Sequence, residues 1–299
     1  MSHPPTQTEI RAILAEAGLR PDKRYGQHFL IDGNLMRLLV AEADLTDTDT
    51  VLEVGPGVGN LTELLVESAG RVVAVEVDPR MAAIVRERLV GATNLDLLQA
   101  DILADKHTIA PAALDTLCRR ARALSGETKL VANLPYQAAT PLLAELVLAD
   151  PPPERLVFTV QEEVAQRLAA EPGTREYGPV GVLIQALAEV EILRRLSPSV
   201  FWPRPKVWSS MVRVRPSDAR RRRVADIAVL HRTIEGLFIH RRKRAARSLA
   251  LADRAGASPE AWVERLKTAG LDAKARGETY TVEEIVCLAN SLTSRSHSC

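Results

Sequence analysis

Short apolar runs alternate with segments of helical spacing between residues 51 and 161. The run "VLEV" (51–54) ends in glycines, and in "NLTELLVES" the residues Leu61, Leu64 and Leu65 fall on one face of a helix. The same alternation predicts further strands over 71–78, 94–101, 129–136 and 155–161. Strands that alternate with helices in this way indicate a Rossmann-like α/β fold, with a mostly parallel sheet and helices on both faces.

The pattern changes towards the carboxyl terminus. The segment "KVWSSMVRV" (206–214) predicts a last strand, placed at an antiparallel edge of the sheet. From Asp218 onward only helical spacing remains, which predicts a small all-helical second domain, whereas residues 104–128 show no clear pattern. The predicted domains are 1–217, with an N-terminal helical extension over 1–22, and 218–299, in which 293–299 are expected to be disordered.

Composition indicates a folded protein in a reducing compartment. The chain has 299 residues, 46% of them apolar, which is enough for one large core and a smaller one. Its cysteines, Cys118, Cys287 and Cys299, lack metal-ligand or redox spacing, so we expect ordinary thiols. The first residues are polar, and no segment has enough uninterrupted apolar residues to cross a membrane. These features predict a soluble cytoplasmic protein.

Charge is distributed unevenly, although the whole chain carries only +1. Residues 194–247 hold sixteen Lys and Arg against three Asp and Glu, a net charge of +13, so the rest of the chain carries −12. Such a basic segment indicates a site for a polyanion, most naturally nucleic acid, although a solvated face or a flexible linker explains a charge run equally well. The candidate residues for RNA binding are Arg204, Lys206, Arg220, Arg221, Arg222, Arg223, Arg241, Arg242, Lys243, Arg244 and Arg247.

A glycine-rich turn follows the first of these strands. In "EVGPGVGN" the residues Gly55, Gly57 and Gly59 come where a strand passes into a helix, so the backbone can bend sharply and approach a ligand closely. The dinucleotide fingerprint is G-x-G-x-x-G, whereas the spacing here is G-x-G-x-G, with Glu53 two residues before the first glycine. This spacing disfavours a pyrophosphate clamp.

Acidic residues end the next two predicted strands. Glu76 ends the strand in "VAVEVD", where it could bind a ribose diol, and Asp101 ends "LLQAD", where it could accept a hydrogen bond from an adenine amine. Carboxylates at successive strand ends suit a ligand that combines ribose, adenine and a cationic centre. S-adenosylmethionine fits this description, and NAD fits it less well. Any one of these acids alone is explained equally well as the cap of the following helix.

The strand over 129–136 ends in a polar and aromatic corner, "NLPY". The amine of adenine is a weak nucleophile because its lone pair is delocalised into the ring. Asn133 Oδ1 and the Leu134 carbonyl, held at a fixed angle by Pro135, could accept the hydrogens of that amine. Tyr136 offers a ring on which a purine can stack, provided that the base is out of its helix. The corner therefore indicates a site for one amino group on one flat base.

With these motifs, the sequence resembles the ribosomal RNA adenine N6-dimethyltransferases. The resemblance covers about residues 20–250. It is carried by "RYGQHFLID" (24–32), the cofactor loop "EVGPGVGNLT", the catalytic "NLPY", the aromatic-proline segment "VFWPRPKVWSSMVRV", and "FIHRRKRAARSL" (238–249), which is similar to the basic helix of the family's second domain.

The resemblance implies two methyl transfers from S-adenosylmethionine to adenine N6, without a metal because the leaving group departs as a neutral thioether. It also implies that Tyr136 and Phe201 sandwich the target base. One departure is His28, which stands where the family usually has asparagine. The implied cofactor-binding residues are Gln27, His28, Leu30, Glu53, Gly55, Gly57, Glu76, Val77, Asp101, Ile102 and Asn133.

Two branches of the family differ in their substrate. The segment "EYGPVGVLIQ", the proline of the cofactor loop and the leucine of "NLPY" resemble the branch that modifies two adjacent adenines near the 3′ end of small-subunit (16S) ribosomal RNA. We therefore expect a monomer that acts on the small ribosomal subunit. The alternatives are a large-subunit methyltransferase of the macrolide-resistance type, a chiefly non-catalytic ribosome assembly factor, a DNA adenine methyltransferase and an NAD-linked oxidoreductase. The glycine spacing disfavours the oxidoreductase, and the short helical second domain disfavours the DNA enzyme.

Overall fold

The computed structural model describes residues 6–105 and 108–293. Its contacts divide the chain into two compact units. The first unit comprises the chain up to Ala165 together with Glu191–Pro216, and the second comprises Gln166–Val190 together with the chain from Ser217 onward. The chain thus leaves the first unit after Ala165, contributes one segment to the second unit, and returns to the first unit at Glu191. It completes the second unit only after Pro216.

Helices and strands alternate along most of the first unit. Up to residue 161 the elements are α1 (Gln7–Glu16), β1 (Phe29–Leu30), α2 (Gly33–Ala43), β2 (Thr50–Val54), α3 (Asn60–Ser68), β3 (Arg71–Glu76), α4 (Pro79–Arg88), β4 (Leu95–Gln99), β5 (Leu103–Asp105), β6 (Thr108–Ile109), α5 (Pro111–Ala123), β7 (Thr128–Asn133), α6 (Ala139–Leu148) and β8 (Arg155–Gln161). They continue with α7 (Glu162–Leu168), α8 (Pro179–Leu187), β9 (Ala188–Leu196), β10 (Phe201–Trp202), β11 (Ser209–Pro216), α9 (Asp218–Arg221), α10 (Ile227–Phe238), α11 (Ala245–Ala252), α12 (Pro259–Thr268) and α13 (Val282–Thr293).

A seven-stranded sheet with the strand order β4-β3-β2-β7-β8-β11-β9 forms the centre of the first unit. β2 pairs in parallel with β3 and β7, β3 with β4, and β7 with β8, whereas β11 runs antiparallel to β8. Every residue of β2 is buried, as expected for a strand covered on both faces. The predicted Rossmann-like α/β fold is therefore confirmed. Because parallel strands end at one edge, the carboxyl ends of β2, β3, β4 and β7 lie along the same edge, called here the carboxyl edge.

Local sequence determines where several helices begin. Asp32 caps α2 by accepting hydrogen bonds from two backbone N–H groups of its first turn. Asp78 caps α4 by accepting a hydrogen bond from Arg80 N, and Pro79 occupies the first position of that helix, where a missing N–H costs nothing. The cap of α4 lies two residues after the end of β3, at the carboxyl edge.

The antiparallel edge of the sheet differs from the prediction. The strand predicted over 206–214 is β11, but β11 is the penultimate strand, and the edge is formed by β9. β9 has the sequence "AEVEILRRL", in which most residues are partly or fully exposed. Its charged residues interrupt the apolar pattern by which a strand is predicted from sequence. Such residues suit an edge strand because charges discourage pairing with other chains.

Residues 104–128 are also ordered where the structure describes them. They include part of a two-stranded ladder of β5 and β6 and the helix α5, which starts at Pro111. The sequence prediction missed the helix because only two of its apolar residues are large, Leu114 and Leu117, and the rest are mostly alanines among arginines. The predicted N-terminal helical extension contains α1.

The helical second unit includes more of the chain than predicted. The predicted boundary at 217/218 lies one residue after the point at which the chain returns to the second unit, at Ser217, but residues 166–190, which contain α8, also belong to that unit. In that unit α10 packs against α8, α11 and α13. The apolar spacing of α8 suits a helix over the sheet equally well, so the sequence could not assign it. Of residues 293–299, expected to be disordered, Thr293 is the last residue of α13, and residues 294–299 lie outside the described part of the chain.

The segment 238–249 is not one basic helix. α10 ends at Phe238, residues 239–244 form a turn, and α11 starts at Ala245. Ser248 Oγ donates a hydrogen bond to the Gly236 carbonyl at 2.7 Å. In a continuous helix two residues twelve positions apart would be separated by about 18 Å, so this contact requires the chain to reverse. The cationic residues of this segment therefore lie on a turn and at the start of α11, not along a helix.

Candidate active site

The glycine turn between β2 and α3 lies at the carboxyl edge of the sheet. Gly55 and Gly57 have φ values of +73° and +60°, in the left-handed region that favours glycine. A Cβ atom at Gly55 would lie 3.0 Å from the Pro135 ring, and one at Gly57 would lie 2.8 Å from the Phe29 ring. The turn therefore touches both the "NLPY" corner and the N-terminal motif.

Glu76 holds this turn from the end of β3. Its Oε2 accepts a hydrogen bond from Gly57 N at 3.0 Å, and its Oε1 accepts one from Asp78 N at 2.9 Å. Burial raises the pKa of Glu76. Each carboxylate oxygen can accept a further hydrogen bond, so Glu76 can hold the turn and still bind a hydroxyl group.

Glu53 is a buried acid two residues before the turn. It is 1% exposed, and its Oε2 has no hydrogen-bond partner among the described residues. Burial raises the pKa of Glu53 to about 8. A buried polar atom without a partner is uncommon, and a donor or cation brought by a ligand is one way to satisfy it. A cationic centre brought by a ligand would favour the ionised form of Glu53 and lower this pKa, which fits a cofactor of that kind.

The N-terminal motif is attached to the start of α4. Gln27 Oε1 accepts a hydrogen bond from Asp22 N at 2.8 Å, and Gln27 Nε2 donates one to Asp78 Oδ2 at 3.1 Å. Arg80 lies 2.7 Å from Asp78 Oδ2 and 3.5 Å from Asp22 Oδ2. Gln27, which the resemblance places at the cofactor, thus holds its own segment beside the glycine turn.

The remaining candidate cofactor residues are apolar or acidic and differ in exposure. Leu30 and Ile102 are buried, whereas Val77, directly after β3, is 41% exposed. Asp101 is exposed, and its Oδ1 accepts a hydrogen bond from Leu103 N at 3.0 Å. An exposed apolar side chain next to a carboxylate can accommodate the face and the amine of a purine.

Asn133 is the last residue of β7, and both polar atoms of its side-chain amide make hydrogen bonds. Asn133 Nδ2 donates a hydrogen bond to the His28 carbonyl at 2.9 Å, and Asn133 Oδ1 accepts one from Thr159 Oγ1 at 2.5 Å. Leu134 is buried, and its N–H donates to the Thr159 carbonyl at 3.1 Å. The "NLPY" corner is thereby attached both to the N-terminal motif and to the neighbouring strand β8.

Tyr136 has a half-buried ring that faces His28. The two ring centroids are 5.7 Å apart with an interplanar angle of 29°. Tyr136 Oη lies 3.2 Å from Ser209 Oγ at the start of β11, and burial raises the pKa of Tyr136. His28 Nδ1 lies 2.6 Å from the Pro203 carbonyl, and because a carbonyl only accepts, Nδ1 carries the proton.

Phe201 lies in the short strand β10. It pairs with Leu30 in the two-stranded ladder of β1 and β10, is 3% exposed, and packs in the apolar core. Among the described ring contacts, the partner of Tyr136 is His28 and not Phe201. Two rings that hold a base between them are not in contact with each other, so the sandwich of the base between Tyr136 and Phe201 stays a prediction.

The next residue, Trp202, links α1 to the site. Its ring stacks on that of Phe29, with centroids 6.3 Å apart, and the Arg11 guanidinium lies 5.2 Å from its centroid. Ile10 and Leu14 of α1 belong to the same apolar cluster as Phe29 and Val58 of the glycine turn. The N-terminal extension therefore packs directly on the cofactor loop.

The candidate RNA-binding residues separate into two groups. Arg220 donates from Nη1 to the Gln185 carbonyl at 2.7 Å, and Arg241 pairs with Glu278 and donates to the Thr174 carbonyl at 2.9 Å. These arginines have structural partners within the second unit. The exposed candidates are Arg204, Lys206, Arg222, Arg223, Arg241, Arg242, Lys243, Arg244 and Arg247, whereas Arg220 and Arg221 are partly buried.

Sequence reasoning missed Thr159 and Ser209, whose hydroxyl groups contact Asn133 and Tyr136. Thr159 is the only hydroxyl residue in the strand "RLVFTVQ". A lone hydroxyl in an apolar strand that ends at the carboxyl edge is the signal that could have identified it. Ser209 lies beside another serine in "WSSMV", and no local feature distinguishes the two.

Other expectations concern membranes, metals and thiols. Within residues 6–105 and 108–293, no helix is both long and apolar enough to cross a membrane. In the same ranges no three His, Cys, Asp or Glu side chains are grouped as metal ligands would be. Cys118 and Cys287 are free and exposed, and Cys299 lies outside the described residues.

Solved structures with similar folds include two methyltransferases. A dimethyladenosine transferase from Plasmodium falciparum superposes with a TM-score of 0.73 at 20% identity, covering 90% of this chain and 98% of that one. A 23S rRNA methyltransferase, ErmE, has a TM-score of 0.60 at 24% identity, covering 89% of this chain and 99% of that one. At these identities the likeness supports the fold, including the helical second part.

Sequence relatives identify the family. The protein named ribosomal RNA small subunit methyltransferase A from Pelotomaculum thermopropionicum is 40% identical over 285 residues, which cover 94% of this chain and 95% of the relative. The protein of the same name from Mycobacterium tuberculosis is 36% identical over 291 residues, covering 94% and 86%. A family model described as Ribosomal RNA adenine dimethylase matches residues 18–293. With the glycine turn and the "NLPY" corner joined at one edge of the sheet, the chain belongs to the ribosomal RNA adenine dimethylase family, whose members are S-adenosylmethionine-dependent methyltransferases.

Proposed function

We propose that this enzyme dimethylates N6 of two adjacent adenines near the 3′ end of 16S ribosomal RNA, as a cytoplasmic monomer acting during assembly of the small ribosomal subunit. The observation that carries the proposal is the contact between the glycine turn and the "NLPY" corner, at Gly55 and Pro135. This contact places the cofactor loop next to an amide that can bind an adenine amine. Support for the small subunit comes from the names of relatives that match nearly the whole chain.

The residues around the glycine turn suit S-adenosylmethionine. When bound, this cofactor supplies a methyl group on a sulfonium centre and leaves as S-adenosylhomocysteine. Gly55 and Gly57 allow the backbone to approach a ligand, and Glu76 can accept hydrogen bonds from a ribose diol. Asp101 can accept a hydrogen bond from the adenine amine of the cofactor, and Val77 can contact its ring. The unpaired buried oxygen of Glu53 fits a ligand with positive charge.

The "NLPY" corner positions the target amine for transfer. Asn133 Oδ1 and the Leu134 carbonyl accept the two N6 hydrogens, which directs the nitrogen lone pair towards the methyl group. A nitrogen–carbon bond forms as the sulfur–carbon bond breaks, and the N6 proton passes to water afterwards. The Tyr136 ring, half-buried beside His28, restricts the plane of the base. Positioning and exclusion of water supply most of the acceleration in this scheme.

The exposed cations serve to hold the RNA by its phosphates. Arg204 and Lys206 belong to the first unit, and the turn 239–244 with its neighbours belongs to the second. Contacts to phosphates release counterions, so affinity for RNA should fall steeply with salt. They position the substrate without reading its sequence, which suits an RNA whose shape is set by a ribosomal particle.

The test of this function uses labelled S-adenosylmethionine with purified small-subunit particles, large-subunit particles and duplex DNA. Nucleoside analysis should find N6,N6-dimethyladenosine in 16S RNA only. Label in large-subunit RNA would assign the enzyme to the large subunit instead, and label in DNA would exclude an RNA-specific enzyme. Binding of the cofactor with no label in any substrate would contradict the proposed substrate.

A further inference from the structure

The side-chain amide of Asn133 is held in one orientation by its two neighbours. Its nitrogen faces the His28 carbonyl at 2.9 Å, and its oxygen faces the Thr159 hydroxyl at 2.5 Å. A backbone carbonyl can only accept a hydrogen bond, so the atom facing it must be Nδ2. The amide oxygen can only accept, so Thr159 must donate. If the amide were reversed, Asn133 Oδ1 would face the His28 carbonyl oxygen, and the two acceptors would repel each other.

Thr159 is placed for this contact by the sheet. β7 and β8 pair in parallel with Asn133 opposite Thr159, and Leu134 N donates to the Thr159 carbonyl at 3.1 Å. Thr159 is 1% exposed, so water has little access to compete for its hydroxyl. A buried hydroxyl group on an ordered strand has no competing water, so it can restrict the orientation of an amide more strongly than a solvent-exposed hydroxyl group can.

We infer that Thr159 is a positioning residue for methyl transfer, a role that rests on the proposed function of Asn133. Thr159 occupies one of the two lone pairs of Asn133 Oδ1 and leaves the other for a substrate N–H. It also prevents the amide from rotating its nitrogen towards the substrate. A nitrogen in that place would donate to the adenine amine instead of accepting from it, and transfer would be lost.

The inference is tested with Thr159→Val, which keeps the shape of the side chain and removes the donor, and with Thr159→Ser, which keeps the donor. The matched control is Thr50→Val, since Thr50 is 1% exposed on β2 and its hydroxyl has no partner among the described residues. We expect the single-turnover rate of Thr159→Val to fall about 10-fold, the size expected for one buried hydrogen bond. Thr159→Ser should recover most of that rate, and Thr50→Val should match wild type.

A second readout does not depend on activity. The side-chain NH₂ signals of Asn133, assigned by their loss in Asn133→Ala, are compared by nuclear magnetic resonance in each variant. We expect them to shift or broaden in Thr159→Val and to stay in place in Thr159→Ser and Thr50→Val. Equilibrium binding of S-adenosylhomocysteine should change little in all three, so the loss should appear in kcat and not in cofactor affinity.

These outcomes separate this inference from the proposed function. A wild-type enzyme that labels no 16S RNA would contradict the function, and the amide signals would still test the contact. Wild-type rate and unchanged amide signals in Thr159→Val would overturn the inference while leaving the function intact. Equal loss of rate in the Val and Ser variants, with equally lowered melting temperatures, would also overturn it, because a merely structural role would then explain both.

Discussion

At the residue scale, the side chain of Asn133 connects three parts of the candidate site. Its amide contacts the N-terminal motif through the His28 carbonyl and the neighbouring strand through Thr159. We expect Asn133→Ala to lower the rate of methyl transfer by about 100-fold or more, the usual cost of removing a preorganised hydrogen bond in a transition state. Cofactor binding should stay close to wild type. Asn34→Ala, at an exposed position of α2, is the control, and wild-type turnover in Asn133→Ala would remove Asn133 from the mechanism.

Glu53 is the second residue with a measurable consequence. Because burial raises its pKa to about 8, the folded protein binds a proton there more tightly than the unfolded chain does. The stability associated with this proton is fully present below the ordinary pKa of about 4.5 and is lost as the pH rises through about 8. Above that range the folded state holds an unfavourable buried charge.

The variant Glu53→Gln should therefore flatten the dependence of stability on pH. We expect the free energy of unfolding of wild type to fall relative to Glu53→Gln between pH 5 and pH 9, by an amount on the order of a few kcal/mol. Urea denaturation at pH 5, 7 and 9 measures it. Glu16→Gln, at an exposed position of α1, should keep the wild-type profile. Parallel profiles for wild type and Glu53→Gln would show that the Glu53 carboxyl titrates normally.

At the scale of elements, α1 packs against the glycine turn. Ile10 and Leu14 share an apolar cluster with Val58 of the glycine turn and with Met81 and Ile84 of α4. α1 is also held by a capping box, in which Thr6 and Glu9 bond each other's backbone N–H groups. A helix packed on the turn can restrict the turn to the conformation that binds a ligand, and so it links stability to cofactor affinity.

This link predicts two effects of one substitution. Leu14→Ala, at a position that is 1% exposed, should cost about 2–5 kcal/mol of stability and should also weaken binding of S-adenosylhomocysteine, measured by calorimetry. Leu117→Ala on α5, where Leu117 is 6% exposed, should lower stability without weakening the binding of S-adenosylhomocysteine. Equal cofactor affinity in both variants would contradict a supporting role for α1.

For the whole molecule, two compact units carry different charge. The basic turn and α11 belong to the second unit, and four of their exposed cations are Arg242, Lys243, Arg244 and Arg247. Replacing all four with Gln should weaken RNA binding and lower the slope of log affinity against log salt by about one per lost phosphate contact. Filter binding at several salt concentrations measures both quantities.

The control for this charge effect is Arg120→Gln. Arg120 lies on α5 of the first unit and is paired with Asp96, with their closest atoms 2.6 Å apart. Its replacement should leave the salt slope unchanged. An unchanged slope in the fourfold variant, with a normal melting temperature, would show that the RNA binds elsewhere.

Much of this architecture could be predicted because it depends on local sequence. The period of apolar residues identifies β2, β3, β4, β7 and β8, since each strand must bury its side chains whatever else it contacts. Gly55 and Gly57 mark a sharp turn because other residues avoid positive φ. The "NLPY" corner needed only its own residue types to suggest an adenine amine. Motifs of this kind also established the family.

Only the tertiary structure decided which distant residues meet. The donor that holds Asn133 comes from Thr159, and the ring that stacks on Tyr136 comes from His28. Whether Arg241 is free or paired depends on Glu278, thirty-seven positions away. Such contacts follow from the packing of complete elements, in which every apolar side chain competes for burial. A local pattern predicts that a residue is buried or polar, but the neighbour that satisfies it is chosen by the fold as a whole.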